Sequence, residues 1–314
     1  MSKTINTDPV AAVPFGLNQG QSFGDAFMAH RVVGVVQAGG WIVFVALALG
    51  NVNKQDAVAQ TPVPNYVVAD FFSPDFLTHR RVTYCEVQPW GASLWHNGAG
   101  ECAFDGQTVR LDTGRWLSPT QDDANLRILR TMPMWGRLFS ITKAGITSTG
   151  PSPDPSTMVF SDARNYQFGD RVVRMDSSFK MVCRTVSGEL CWVLRLHSYL
   201  YTPVQENDGI IYFGTAGAGG HCYGVDLGDG HVVVDVNTGG TEQFAWWRGR
   251  LVIAGRGGDL LIVDRHNGHL VGQMGLGGLT PHQYLPYLIV GDRLYTTAAS
   301  QDASFAVMAN LSRA

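Results

Sequence analysis

Lysine and glutamate are scarce in this chain of 314 residues. It has four Lys against nineteen Arg and five Glu against twenty-one Asp, and charged residues make up only 16% of it. Lys and Glu favour solvated helices, whereas Asp and Gly are typical of turns, and Gly alone contributes 37 residues. The composition therefore predicts an all-β protein with many turns rather than a helical protein.

Runs of basic residues are also missing, and the net charge is −3. Nucleic acid is bound mainly through clustered Lys and Arg, so it is not expected as a partner. The N-terminal sequence MSKTINTDPVAAVPFG lacks the charged and then apolar order of a secretory signal. We therefore expect the protein in the cytoplasm or in a non-secreted assembly.

One apolar stretch, Val32 to Gly50, is long enough to raise the alternative of a membrane span. Gln37 and the pair Gly39-Gly40 interrupt it, and no basic cluster flanks it. It is also rich in β-branched and aromatic residues, which favour strands. The stretch is therefore interpreted as two buried strands that meet at the glycine pair.

Cysteine is sparse and widely spaced, at Cys85, Cys102, Cys183, Cys191 and Cys222. No two of these residues form a C-x-x-C pair, so a zinc site built from thiolates is not predicted. An odd number of widely spaced cysteines favours reduced, structural thiols. Cys85 with Cys102, and Cys183 with Cys191, could each face one another across a hairpin, and the spacing leaves their disulfide state open.

A repeated turn organises the second half of the chain. The hexapeptide DLGDGH at residues 226–231 returns as DRHNGH at residues 264–269. Each copy follows two short apolar segments that are separated by a Gly-rich turn. Further units open at Val290 to Ala298 and at Phe168 to Met175, and an earlier one is placed at Trp135 to Ile141.

A period of about 40 residues with four short strands per unit is typical of a β-propeller. The chain is long enough for about seven, alternatively eight, such blades, so we predict one propeller domain over residues 1–314. The last unit, which ends at Ser304 to Leu311, is incomplete. Because proteins avoid open strand edges, a strand from within residues 8–27 is expected to pair with it and close the ring. Residues 1–27 would form this N-terminal arm, and the Pro/Ser-rich residues 147–158 are predicted to be a loop.

The order of strand, Gly turn, strand and D-x-x-x-G resembles the pyrroloquinoline-quinone (PQQ)-type repeat of quinoprotein-like β-propellers. The nearest match is RTVSGELCW at residues 184–192, in which Gly188, Glu189 and Trp192 fit that family's G-K-E-x-W docking segment. The resemblance covers residues 165–300 and departs from the family at Arg184, where Asp is usual. It implies the propeller fold, in a family that includes quinone-dependent dehydrogenases and cofactor-free scaffolds.

The dehydrogenases of that family are secreted and longer, and they hold calcium beside the quinone through Glu, Asn and Asp. Glu is scarce here and no vicinal Cys-Cys pair is present, so no cofactor is predicted, with PQQ and calcium as the alternative. The acids Asp226 and Asp229 are also spaced wrongly for a calcium loop, and no metal site is predicted. DLGDGH is interpreted as a turn in which Asp caps backbone N–H groups and Gly supplies a positive φ.

The adjacent residues Trp246 and Trp247 suggest an interaction surface. Neighbouring residues of a strand point to opposite faces, so one of the two indoles is expected to be exposed, next to Arg248. Exposed aromatic and Arg side chains are typical of binding surfaces. We therefore predict that these three residues contribute to contact with a partner.

Three histidines, His197, His221 and His282, fall near predicted blade edges or loops. They are candidates for a general base or a metal ligand at one face or at the mouth of the central channel. His231 and His269 repeat with the turn, so a metal shared between them is not expected. The G-x-S-x-G, H-E-x-x-H and phosphate-loop signatures are missing from the sequence, and no catalytic residue is assigned.

The function that these features favour is a non-catalytic binding or structural module. It would present one propeller face to a protein partner, as a subunit of a larger assembly. The alternative is an enzyme with its site in the central channel, either a divergent quinone-dependent oxidoreductase or a metal-assisted lyase or hydrolase. Convergence of acidic, His or Arg residues from inward-facing strands on the central channel would favour the enzyme, whereas an apolar or water-filled channel with an exposed aromatic patch would favour the binding module.

Overall fold

Strands dominate the computed structural model. It describes residues 5–7, 10–14, 27–50, 63–88, 101–113, 137–151, 165–175, 179–198, 200, 202, 204–215, 219–239, 244–255, 258–281, 287–300 and 304–314. In these ranges every regular element is a β-strand except a short 3-10 helix at Leu311–Arg313. The all-β fold class predicted from the composition is therefore confirmed.

The first three antiparallel sheets contain both ends of the described chain. Sheet 1 comprises β1 (Ile5–Thr7), β2 (Val10–Pro14), β23 (Thr280–Pro281), β24 (Leu288–Val290), β25 (Arg293–Ala299) and β26 (Ser304–Asn310). Sheet 2 comprises β3 (Phe27–Ala38), β4 (Trp41–Gly50), β5 (Val63–Phe72) and β6 (His79–Gln88). Sheet 3 comprises β7 (Glu101–Phe104), β8 (Val109–Asp112), β9 (Arg137–Thr142) and β10 (Gly145–Pro151).

The other three sheets lie in the repeated part of the sequence. Sheet 4 comprises β11 (Tyr166–Phe168), β12 (Arg171–Met175), β13 (Lys180–Thr185) and β14 (Leu190–Arg195). Sheet 5 comprises β15 (Gln205–Asn207), β16 (Ile210–Gly214), β17 (His221–Asp226) and β18 (Val232–Asn237). Sheet 6 comprises β19 (Phe244–Trp247), β20 (Arg250–Ala254), β21 (Leu260–Asp264) and β22 (Leu270–Met274).

Sheets 2 to 6 are each a four-stranded meander in which consecutive strands pair. This is the strand arrangement of a propeller blade. Sheets 1, 2 and 3 form one compact unit and sheets 4, 5 and 6 form a second. The number of blades, the closed ring and the single domain over residues 1–314 remain predictions.

Within each unit, neighbouring sheets share a hydrophobic core. In the first unit one core cluster joins sheets 1 and 2 and another joins sheets 2 and 3. In the second unit the clusters join sheets 4 and 5, and sheets 5 and 6. The middle sheet therefore buries both faces, which explains why β4 and β16 are apolar without alternation.

The apolar stretch from Val32 to Gly50 forms most of the β3–β4 hairpin, with its turn at Gly39-Gly40. Residues 42–47 are all buried. The interpretation as two buried strands is confirmed. No helix in the described ranges has the length and apolar character that a membrane crossing requires.

The N-terminal strand β2 pairs antiparallel with β26, so that Val10 lies opposite Ala309. The predicted pairing of a strand from residues 8–27 with the last unit is therefore confirmed. Two other predictions need correction. Residues 147–151 continue β10 instead of forming a loop, while residues 152–158 lie outside the described ranges. Of the segment at 135–141, residues 137–141 belong to β9, the third strand of sheet 3, and do not open a sheet, while residues 135–136 lie outside the described ranges.

The repeated hexapeptides form the same turn. The Asp226 carboxylate accepts a hydrogen bond from the backbone N–H of Gly228 at 2.7 Å, and the Asp264 carboxylate accepts one from His266 at 2.8 Å. The glycines that close the two turns, Gly230 and Gly268, have φ of 79° and 70°. The turn interpretation of DLGDGH is therefore confirmed.

Each turn glycine also packs against the preceding sheet. The last strand of sheets 4, 5 and 6 carries a β-bulge, and the residues after the bulge in sheets 4 and 5 are Trp192 and Val234. A Cβ on Gly230 would lie 2.8 Å from the Trp192 ring, and one on Gly268 would lie 3.4 Å from the Val234 backbone. The two hexapeptide turns therefore also pack each sheet against the preceding one.

We expect Gly230→Ala to reduce the free energy of unfolding by about 3 kcal/mol or more. A positive φ costs a side chain roughly 1–2 kcal/mol, and overpacking against Cβ and Cγ of Trp192 adds roughly 1–3 kcal/mol. Urea unfolding followed by Trp fluorescence measures the loss.

Gly249→Ala is the matched control. Gly249 has φ of 72°, but a Cβ there would meet nothing within 4 Å. Only the backbone cost of about 1–2 kcal/mol is expected. Equal losses of unfolding free energy in the two variants would show that the packing of Gly230 on Trp192 contributes nothing to stability.

Candidate functional site

Neither indole of the Trp246-Trp247 pair is exposed, which corrects the expectation from strand alternation. Trp247 is 6% exposed, and Trp246 is half-buried with its Nε1–H donating to Gln205 Oε1 at 3.2 Å. Arg248 is a turn residue with φ of 48°, and its guanidinium lies 5.3 Å from the centre of the Trp247 ring. The three residues support a hairpin, and their role as an interaction surface stays a prediction.

His197 and His221 lie side by side in the second unit. Their rings are stacked with centroids 4.5 Å apart and planes at 10°. We call these two residues the histidine pair. His282, the third candidate, lies outside the described ranges.

Both imidazoles of the histidine pair are fixed at Nδ1. His221 Nδ1 hydrogen-bonds to the Asp235 carboxylate, and His197 Nδ1 lies 2.6 Å from the Tyr223 hydroxyl. Strand pairing explains part of this arrangement: His221 and Tyr223 share one face of β17, and Asp235 lies opposite Tyr223 on β18. His197 reaches them from the segment that follows β14.

This arrangement has the chemistry of a proton acceptor. A carboxylate that accepts from Nδ1–H selects the tautomer whose Nε2 carries a lone pair. His221 thereby presents a base, while its side chain is 13% exposed and that of Asp235 is 43% exposed. Among the described residues no group of three or more His, Cys, Asp or Glu side chains suited to a metal ion occurs.

One of the two possible hairpin pairs of cysteines, Cys85 with Cys102, does not share a hairpin. Cys85 lies in β6 opposite Tyr66, whereas Cys102 lies in β7 opposite Leu111, so the two belong to different sheets. All five cysteines are free thiols. Cys183 and Cys191 do share the β13–β14 hairpin.

A basic surface of sheet 4 was not predicted from the sequence. The four strands of this sheet contain five Arg and Lys residues and no Asp or Glu, in a chain of net charge −3. The register places most of these cations on one face together with apolar residues. We call this the basic face, formed by Val172, Arg174, Lys180, Val182, Arg184, Leu190, Val193 and Arg195.

The two faces of sheet 4 differ sharply in burial. The opposite face carries Met181 and Cys183, both fully buried against sheet 5. On the basic face, Leu190 and Val193 are 51% and 50% exposed. Arg174, Arg184 and Arg195 are exposed as well. The alternation in KMVCRT at residues 180–185 was the signal that could have revealed this face.

A buried charge cluster in sheet 2 was also missed. Asp70 is 1% exposed and accepts hydrogen bonds from Arg81 at 2.6 and 2.8 Å, with His79 Nε2 at 2.6 Å. Arg81 faces Asp70 across the β5–β6 pair. The carboxylate is engaged on both oxygens, so the cluster holds the β5–β6 hairpin together through a buried, paired charge.

A cleft of about 280 Å³ lies over β8 and β9 in the first unit. Its lining includes Arg110, Ser140 and Thr149. The Arg110 guanidinium is paired with Asp105 at 2.7 Å. This lining contains no general base.

Comparison with known proteins shows no family. No family model matches the sequence, and no curated protein matches it. Among solved structures, BamB from Moraxella catarrhalis is similar at 12% identity and a TM-score of 0.36, covering 96% of this chain and 91% of BamB. The computationally designed Ika8 protein is similar at 13% identity and a TM-score of 0.42, covering 89% of this chain and 96% of Ika8. Similarity at this level carries no argument about function.

We expect stability to fall between pH 10 and pH 12 in part because of Tyr223. Burial, together with the nearby Asp235 carboxylate, raises its pKa from the ordinary 10.0 to about 12. The Tyr223 hydroxyl is therefore deprotonated at a lower pH in the unfolded chain than in the folded protein. Its contribution to stability is fully present below pH 10 and is lost as the pH rises to 12. Urea unfolding at several alkaline pH values measures the slope.

Tyr223→Phe should flatten this alkaline loss and should cost about 1 kcal/mol at neutral pH through the lost hydrogen bond to His197. Tyr212, whose pKa is also raised to about 12 by burial, keeps its own contribution in the variant. An alkaline slope identical to that of the unaltered protein would contradict the burial of the Tyr223 hydroxyl.

Proposed function

We propose that this protein is a non-catalytic propeller-type binding module that holds a protein partner on the basic face. The supporting observation is that the basic face carries four cations and no carboxylate, while the opposite face of sheet 4 packs in the core. The partner that complements this face has acidic side chains around an apolar patch.

The apolar side chains on the basic face favour a protein over a nucleic acid. Leu190 and Val193 are half-exposed among the cations, and aliphatic groups of this kind are buried in protein interfaces. Single-stranded nucleic acid is usually bound with exposed aromatic rings on which bases stack. The eight residues that define the basic face include no aromatic residue.

The basic face replaces the Trp246-Trp247-Arg248 segment as the proposed contact surface. The two indoles are packed within the second unit, and the Arg248 guanidinium lies against the Trp247 ring. A partner could reach the buried Trp247 ring only by displacing core contacts, whereas Arg248 itself is exposed. The exposed cations of sheet 4 need no such rearrangement.

An enzyme remains the second candidate, on the strength of the histidine pair. Asp235 orients His221 as a base, and Tyr223 beside His197 supplies a hydroxyl. Such a constellation suits proton transfer to and from a substrate. Binding of PQQ with calcium is the cofactor alternative that the sequence resemblance implies for this candidate.

We expect the double variant Arg174→Glu/Arg195→Glu to bind an acidic, apolar peptide at least about tenfold more weakly, a loss of about 1.4 kcal/mol. The probe is a synthetic peptide of alternating Glu and Leu, labelled for fluorescence anisotropy. Charge reversal replaces attraction by repulsion at two exposed positions of the basic face.

Arg80→Glu/Arg250→Glu is the matched control, because both arginines are exposed on strands of other sheets. It should leave the peptide affinity within about twofold. Equal effects of the two double variants would contradict the assignment. If a single-stranded oligonucleotide bound more tightly than the peptide, the result would indicate a nucleic acid as the partner of the basic face instead of a protein.

A further inference from the structure

Two thiols meet in sheet 4 at its β-bulge. Cys183 lies opposite Trp192, and the next pair along the hairpin is Arg184 with Leu190. Cys191 is therefore the extra residue of the bulge, so that two residues of β14 face one residue of β13. Burial raises the pKa of the Cys183 thiol, and the neighbouring Cys191 raises it in the same direction.

A guanidinium approaches one of these thiols directly. Arg171 Nη1 donates to Cys191 Sγ at 2.5 Å, and Arg171 Nε lies 3.7 Å from the Asp170 carboxylate. Cys191 Sγ is also 3.7 Å from the Glu189 carbonyl oxygen. A cation beside a cysteine favours the thiolate, which is the nucleophilic form.

The two sulfurs differ in access. Cys191 is partly exposed, whereas Cys183 is fully buried. An oxidant from solvent reaches Cys191 first, and Cys183 is the neighbour that can react next. Reactive redox pairs in proteins combine an accessible low-pKa thiol with a resolving cysteine beside it.

We propose that Cys191 is a peroxide-reactive thiol, that Cys183 is its resolving partner, and that sheet 4 forms a reversible disulfide between them. The oxidant class is a hydroperoxide, with hydrogen peroxide as the simplest member. This inference is independent of the partner proposed for the basic face. An experiment that contradicts the disulfide proposal leaves the proposed protein partner unaffected, and the reverse also holds.

The reaction balances in two steps. The Cys191 thiolate attacks one oxygen of hydrogen peroxide; a sulfur–oxygen bond forms, the oxygen–oxygen bond breaks, and the leaving hydroxide takes a proton to become water. The Cys183 sulfur then attacks the sulfur of the Cys191 sulfenic acid. The disulfide forms, the sulfur–oxygen bond breaks, and the hydroxide leaves as water with the Cys183 proton. Two thiols are oxidised and one peroxide is reduced to two water molecules.

Burial sets the order of these steps. It raises the pKa of Cys183 to about 11, so this residue stays a thiol until an electrophilic sulfur forms beside it. Burial also raises the pKa of Cys222, to about 12. Cys222 is therefore not expected to compete for the oxidant.

Peptide mapping of the unaltered protein tests the proposal directly. The folded protein is treated with one equivalent of hydrogen peroxide, its free thiols are blocked with iodoacetamide, and it is denatured and digested with trypsin. Arg184 lies between the two cysteines, so trypsin separates residues 181–184 from residues 185–195 unless a disulfide joins them. We expect the joined pair after peroxide, two of the five thiols lost, and full reversal by dithiothreitol.

Variants assign the roles. Cys183→Ser should leave a sulfenic acid on Cys191 that dimedone labels. Arg171→Met should slow disulfide formation by about tenfold, because the guanidinium that contacts Cys191 Sγ no longer stabilises negative charge on the attacking sulfur. Arg174→Met is the matched control, because Arg174 lies on the same strand but on the basic face, and it should leave the rate unchanged.

Two results would overturn the proposal. One is peroxide modification of the exposed Cys85 without the joined peptides. The other is an Arg171→Met variant that forms the disulfide as fast as the unaltered protein. Should a variant fail to fold by circular dichroism, the peptide map of the unaltered protein decides alone.

Discussion

Contact between a turn glycine and the residue after a β-bulge determines how sheets 4, 5 and 6 fit together. Gly230 lies against Trp192, and Gly268 lies against Val234. A four-stranded meander cannot bury both of its faces alone, so each sheet depends on its neighbour for a core. The glycine allows the turn of one sheet to approach the last strand of the preceding sheet, and the core clusters fill the space behind it.

The features that the sequence predicted well are local or repeated. The two hexapeptides fix their turns through Asp226 and Asp264, whose backbone N–H donors and following glycines lie within a few residues. The hairpin at Gly39-Gly40 and the strand content follow from the same short-range preferences. The pairing of β2 with β26 was predicted by a different argument, namely that an unpaired final sheet edge is avoided.

The features that the sequence predicted poorly depend on which faces are covered. Alternation correctly places Trp246 and Trp247 on opposite faces, but it cannot tell that both faces are packed. The stacking of His197 on His221 joins a segment after β14 to a strand of the next sheet, and no spacing rule encodes such a contact. Spacing likewise left open whether Cys85 and Cys102 share a hairpin, and a sheet boundary falls between them.

Sheet 4 shows how one local irregularity affects both chemistry and surface. Strict alternation would put Cys191 on the face that carries Val193, among the cations, and away from Cys183. The bulge interrupts the alternation, turns Cys191 toward Cys183 and Arg171, and still leaves Leu190 and Val193 exposed. The equivalent bulge residues of sheets 5 and 6 are Val233 and Val271, which bring no reactive group to the same position. The bulge therefore belongs to the repeat, whereas the thiol pair and the basic face distinguish this one sheet.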